Sequence, residues 1–226
     1  MTMRSNNRGD SAPANGYQRR RRETRAQLVD AARSLFIERG VEQVSIDAIT
    51  STAGVAKGSF YNHFDSRQTL FEDILEETLQ GIFQRAYTEL PVTGDLLEDG
   101  LARTWYIHYT VLSDRQACTL LLQSGGSAEA GGAIDRVLRE GLGERLRDGS
   151  SLGTLSHIDE DLLYAAYFGA VTQAMAYLLE QGESLDVEGA ADQLTEICFA
   201  LLGLPHYKPA HRLPVGQGED ALAQES

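Results

Sequence analysis

An all-α fold is what this sequence predicts: an N-terminal three-helix domain built on a helix-turn-helix, then a larger helical domain, about nine helices in all. Two observations carry it. From Glu23 onward apolar residues recur at helical spacing, and Pro and Gly clusters such as Pro91 to Gly94 and Asp148 to Leu155 break the runs. The stretch Ser45 to Arg67, SIDAITSTAGVAKGSFYNHFDSR, sets two short helical patterns around one glycine.

Within that stretch Ser45 is a good N-cap, and Ile46, Ile49 and Ala53 share one face of the first helix. Gly54 supplies the left-handed residue that ends a helix without a side-chain penalty, and Val55 plugs the gap behind it. The second helix, Lys57 to His63, has one obligately buried residue, Phe60. Lys57, Ser59, Tyr61, Asn62 and His63 are left for the surface, and Gly58 lets the backbone come close to a groove floor. This is the chemistry of a double-stranded DNA reader. Lysine donates to guanine N7 and O6, and serine and asparagine donate to base edges or phosphates, as a tyrosine hydroxyl can. A plain helical hairpin with a solvated face has the same turn, so the neighbouring residues decide.

The run AGVAKGSFYNHFDSRQTLF resembles the DNA-binding signature of the TetR family of one-component transcriptional regulators. The resemblance extends back over TRAQLVDAARSLFIERGVEQVSIDAI and covers the first third of the ordered chain. It implies a homodimer whose remaining helices bind a small-molecule effector. The function implied is a ligand-responsive regulator, most simply a repressor on a pseudo-palindromic operator. Two positions depart from the family pattern: Thr50 stands where alanine is common, and Arg67 where lysine is usual. Arg67 could grip a phosphate with two donors. Lys57 and Ser59 are the expected base readers, with Ser45, Tyr61, His63 and Arg67 on phosphates. A helical adaptor that uses the hairpin for protein contacts and an α-helical enzyme are the alternatives. Salt-sensitive, sequence-selective duplex binding separates a regulator from both.

The chain has 226 residues and a net charge of −13, which argues against DNA only until its distribution is read. Residues 1–67 hold eleven Arg plus Lys against seven Asp plus Glu, a balance of +4, and residues 68–226 carry −17. The acidic part repels DNA and turns the basic end towards it. Cys118 and Cys198 sit in apolar helical patterns and read as buried free thiols. No apolar run is long enough for a spanning helix or a signal peptide, so a cytoplasmic protein without membrane contact is expected.

In chain order, residues 1–18 are polar and expected to be disordered. The helix-turn-helix domain is 19–66. Its arginines Arg19 to Arg22 and Arg25 oppose the dipole of a helix near Glu23 to Arg39, and Arg22 and Arg25 read as a DNA-contacting arm. That helix turns Leu28, Ala31, Ala32, Leu35 and Phe36 inward, and Phe64 closes the small core. Domain 67–204 begins with a long helix from Arg67, capped by Asp65 or Ser66 and apolar on a wide stripe, and this helix is the expected mechanical link between the domains. Helices at Asp95 to Leu112, Asp114 to Gln123 and Ala128 to Arg147 follow, the first with His108 among Leu101, Trp105 and Leu112. Another runs from Asp159 to Gln181 and the last from Asp186 to Leu204. Small residues on the first of these and an apolar stripe on the second suggest a two-fold four-helix bundle with Gly169, Ala176, Leu194, Ile197 and Leu201 at the dimer interface. Trp105, Tyr109, Tyr164, Tyr167 and Phe168, with His108, Gln123 and Gln173, are the expected lining of a pocket for a largely apolar effector. Residues 205–226 form a flexible tail. No phosphate-cradling glycine loop, metal-spaced Cys and His cluster or nucleophile motif occurs, so neither a cofactor nor an enzyme is expected; the HIDED run from His157 to Asp161 reads as a helix start.

Overall fold

The apolar periodicity is realised as helices. The computed structural model describes residues 12–90, 92–124 and 157–203, and among them are eight α-helices and no strand. The chain divides after Ile74 into two units.

The first unit contains α1 (Ala12–Arg39), α2 (Ile46–Ala53), α3 (Lys57–Tyr61) and the start of α4 (Arg67–Thr88). Helix α1 begins at Ala12, well before the expected Glu23, so residues 12–18 are helical where a disordered arm was expected. The arginine run is itself a good helix former, Pro13 falls in the first turn where no N–H is needed, and Arg19 pairs with Glu23 one turn on at 3.5 Å. Gly16 to Glu23 are exposed and add nothing to the core. The core starts at Leu28 and joins Ala32, Leu35 and Phe36 of α1 to Ile49, Phe60, Phe64, Leu70, Phe71 and Ile74. The Phe36 and Phe71 rings meet edge-on, 5.6 Å apart and at 87°. Full burial of each large side chain contributes about 1.5–3 kcal/mol, enough for a small unit to hold one very short helix in place.

The ends of these helices are set locally. Ser45 caps α2 by accepting from the Ala48 N–H at 3.1 Å. At its other end Gly54 is left-handed (φ 69°), its N–H bonding to Ser51 O at 3.2 Å while the Val55 N–H reaches Thr50 O at 3.0 Å. Thr50 is buried, and its hydroxyl is satisfied by the Ile46 carbonyl at 3.0 Å, which explains how threonine serves where alanine was expected. Helix α3 ends at Tyr61 rather than His63, because the His63 and Phe64 N–H groups both turn back to Phe60 O. Ser66, not Asp65, caps α4, accepting from the Thr69 N–H at 3.0 Å. Between α1 and α2 a single 3-10 turn, Val41–Gln43, was not anticipated.

The second unit holds the rest of α4 with α5 (Leu96–Ser113), α6 (Arg115–Ser124), α7 (Glu160–Leu179) and α8 (Val187–Leu201). Helix α5 packs most extensively on α8, which also meets α7, while α6 lies against α5 and α7. Asp159 caps α7 by accepting from the Leu162 N–H at 3.0 Å, so the HIDED run is a helix start. The helix expected at Ala128 to Arg147 and the tail from 205 lie outside the described residues.

Polar groups pin the α5–α8 seam. Trp105 Nε1 donates to Asp192 Oδ1 at 2.8 Å, and Thr195 Oγ1 donates to Ala191 O at 2.7 Å. Since that bond uses the only hydroxyl proton, Thr195 accepts from His108 Nδ1 at 3.0 Å, and Nε2 presents its lone pair to Cys198 Sγ at 3.7 Å. Both cysteines are free and buried. Burial pushes the Cys198 thiol up to about 12 and the Cys118 thiol to about 11, so both stay protonated and inert.

A Cβ added at Gly54 meets open space, so only the backbone conformation opposes it. Gly54→Ala should therefore lower unfolding stability by about 1–2 kcal/mol, the cost of a left-handed L-residue. Urea denaturation followed by helical circular dichroism checks this; an unchanged midpoint would contradict the strain at this turn.

Candidate nucleic-acid interface

Helix α3 is a wedge with one anchored position. Phe60 is fully buried, while Lys57, Gly58, Tyr61 and Asn62 are exposed and Ser59 is half-buried. The expected reading set is thus spread over the outer surface of one short helix, and Gly58 has open space where a side chain would stand. Tyr61 leans its ring edge on Phe60, with centroids 5.4 Å apart, which limits its swing while leaving the hydroxyl outside. Ser45 keeps its own hydroxyl proton, because its cap bond uses only the oxygen.

The charged members are less free than the sequence suggests. Lys57 Nζ lies 2.8 Å from Asp47 Oδ1, and this hydrogen bond raises the lysine pKa. Asp47 was missed because a carboxylate in the first turn of a helix already has a local reason to be there. Arg67 turns inward, donating through Nη1 to Glu42 O and Val44 O at 3.1 and 3.0 Å and through Nη2 to Glu42 Oε2 at 3.1 Å. It clamps the 3-10 turn against the start of α4, using the fork expected for phosphate. Arg25 likewise pairs with Asp73 at 3.0 Å and lies over the Phe64 ring at 5.4 Å. Arg22, by contrast, is exposed on the α1 extension. His63 is half-buried beside this group, and its pKa is lowered by desolvation and then by Arg21 and Arg25.

In the second unit a cavity of about 60 Å³ is bounded by α4, α5, α6 and α7. Of the expected lining, His108, Tyr167 and Phe168 are there, joined by Phe83, Val111 and Met175, and the surface they present is almost wholly apolar. Trp105 is not. It is fully covered and held by Asp192, with Tyr109 stacked on it at 5.2 Å, because α8 packs over the side of α5 that carries it. Gln123 is also absent from the lining, Gln173 is exposed on α7, and the side chain of Tyr164 lies outside the described residues.

The expected interface residues divide similarly. Gly169, Ile197 and Leu201 are exposed, and Ala176 is half-buried. Leu194 is 0% exposed in the single chain, a core residue rather than a surface one. Leu162 and Tyr177, which the sequence reading passed over, extend the exposed apolar surface of α7. Their spacing from Gly169, seven and eight residues, would have revealed them as sharing its face.

Residues 28–74 match the family model for bacterial regulatory proteins, tetR family. Among curated proteins, the chain is 37% identical over 70 residues to the HTH-type transcriptional repressor KstR2 of Rhodococcus jostii, covering 31% of this chain and 34% of that one. It is 34% identical over 92 residues to the HTH-type transcriptional activator FasR of Mycolicibacterium smegmatis, covering 39% and 42%. The chain thus spans well under half the length of these relatives. A solved structure of the regulator FadR from Bacillus subtilis in complex with stearoyl-CoA aligns over 80% of this chain and 99% of that one, with a TM-score of 0.60 and 19% identity, a likeness of fold.

The lowered pKa of His63 has a measurable sign. The unfolded imidazole titrates near 6.5 and the folded one below it, so the unfolded state binds more protons between the two. Stability should be complete above 6.5 and fall as pH drops through that value towards the folded pKa. His63→Gln should flatten this part of a denaturation-versus-pH profile, and a variant as acid-sensitive as the wild type would assign the loss elsewhere.

Proposed function

We propose that this chain, whose residues 28–74 match the family model for bacterial regulatory proteins, tetR family, is a ligand-responsive transcriptional regulator. It reads a pseudo-palindromic operator as a homodimer, most simply as a repressor, and acts in the cytoplasm. The observation that carries this is the outer surface of α3, where one buried phenylalanine leaves lysine, serine and tyrosine, with the asparagine that ends the helix, together towards solvent. Lys57 and Ser59 read bases; Ser45, Tyr61, Asn62 and His63 hold the phosphate backbone with the exposed Arg22. Arg25 and Arg67 serve mainly to brace the reading unit, since their guanidinium groups are engaged within it.

One short helix reads only a few base pairs, so two copies related by a two-fold axis are needed for a full site. The exposed Leu162, Gly169, Tyr177, Ile197 and Leu201 supply an apolar surface for that pairing. The effector is a small, largely apolar molecule taken into the cavity beside His108 and Tyr167. A cavity of about 60 Å³ has room for a few waters, whereas ligand sites commonly reach about 300–1,000 Å³. Binding therefore selects a more open state of the second unit. Such a ligand shifts DNA affinity only by its difference in affinity between the two states, and α4, one helix that contributes Ile74 to one unit and Leu79 and Phe83 to the other, is the route.

Selection of bound duplexes from random DNA tests the reading. The wild type should recover an inverted repeat, and Lys57→Ala should lose about 1–3 kcal/mol at one base pair of each half-site. Recovery of no consensus would exclude a sequence-specific regulator. Gly169→Arg should sediment as a monomer that binds specific DNA weakly, and a dimeric variant would move the interface elsewhere.

A further inference from the structure

We propose that Asp47 is a positioning residue for base readout: its carboxylate holds the Lys57 ammonium at one place on the outer surface of α3, so that the lysine meets a base edge already aimed. The inference rests on the reading of α3 as the DNA-contacting helix. Asp47 belongs to the first turn of α2 and Lys57 opens α3, so the 2.8 Å contact spans the Gly54 turn and ties the two helices of the reading pair to each other through the one side chain best suited to contact guanine.

Each partner has a reason to stay. A carboxylate in a first helical turn is favoured by the N–H groups there, while an ammonium at the start of α3 is disfavoured by the same effect and is relieved by an adjacent anion. The pair is 57% and 70% exposed, and exposed pairs are worth little in water, so its consequence lies in geometry rather than stability. An unrestrained lysine must give up most of its rotamer freedom when it docks on a base, and Asp47 removes part of that loss beforehand. Lysine has three donors; one is used by Asp47, and two remain for N7 and O6 of one guanine. The pairing also neutralises both charges, so Lys57 adds selectivity with little general attraction to phosphate. An unpaired Asp47 on this surface would repel DNA.

Asp47→Ala should thus have opposite effects on two quantities. Affinity for random duplex should rise, with the salt dependence steeper by about one counterion because a cation has been released from its partner. Discrimination at the base pair that Lys57 reads should fall by about fivefold or more, the lower end of what one good base contact supplies. Asp47→Glu, which restores the carboxylate on a longer arm, should recover part of that discrimination, and Asp47→Ala made in a Lys57→Ala protein should change base preference no further. A merely structural role would lower both affinities together. If the wild type selects a sequence but Asp47→Ala keeps its full discrimination, or loses discrimination equally without Lys57, the positioning role is overturned. A wild-type protein that selects no sequence overturns the regulator reading itself and this inference with it.

Discussion

The burial of Phe60 is the interaction on which the reading unit depends. Helix α3 spans Lys57–Tyr61, and an isolated helix needs roughly 12–15 residues to be even marginally stable in water. It persists because Phe60 is sealed into the core with Phe64, whose ring centroid is 5.7 Å away, and because its entry and exit are held independently. The Gly54 turn sets the entry, and the Ser66 cap with the Arg67 clamp sets the exit. With one side chain pointing in, the others can be chosen for contact with a partner rather than for packing.

The arginines and lysine of this unit separate into two uses that net charge conceals. Arg25 and Arg67 work inward, one joining α1 to α4 through Asp73 and Phe64, the other fastening the 3-10 turn. Arg22 and its neighbours on the α1 extension stay outside, exposed and free of any part in the core. Arg67 in place of lysine is consistent with this division. Two backbone carbonyls and a carboxylate fit a planar fork, whereas an ammonium could not engage all three from fixed directions.

The second unit solves a different problem, the register of long apolar helices that could slide past one another. Trp105 with Asp192, and His108 with Thr195 and Cys198, place polar contacts at successive turns of the α5–α8 seam, so a shift of one turn would strand buried polar groups. His108 belongs to both this row and the cavity wall. A histidine on an apolar stripe was open to being a core residue or a ligand contact, and its position permits both.

Sequence alone determined what neighbouring residues decide among themselves. Ser45 as a cap, Gly54 as a left-handed stop, Phe60 and Phe64 as the buried pair and the helical extents of α4 to α8 are set by groups within a few positions of one another, and periodicity reports them directly. Tertiary structure decided the partners of residues with several plausible ones. An apolar period says that Leu194 and Trp105 are covered, but not that α5 and α8 cover each other rather than a second copy or a ligand. A positive charge says that Lys57 and Arg67 seek an anion or carbonyl, and only folding brings Asp47 within reach of one and the Glu42 turn within reach of the other. Electrostatic attraction carries no sequence address, so distance in the folded chain makes the choice.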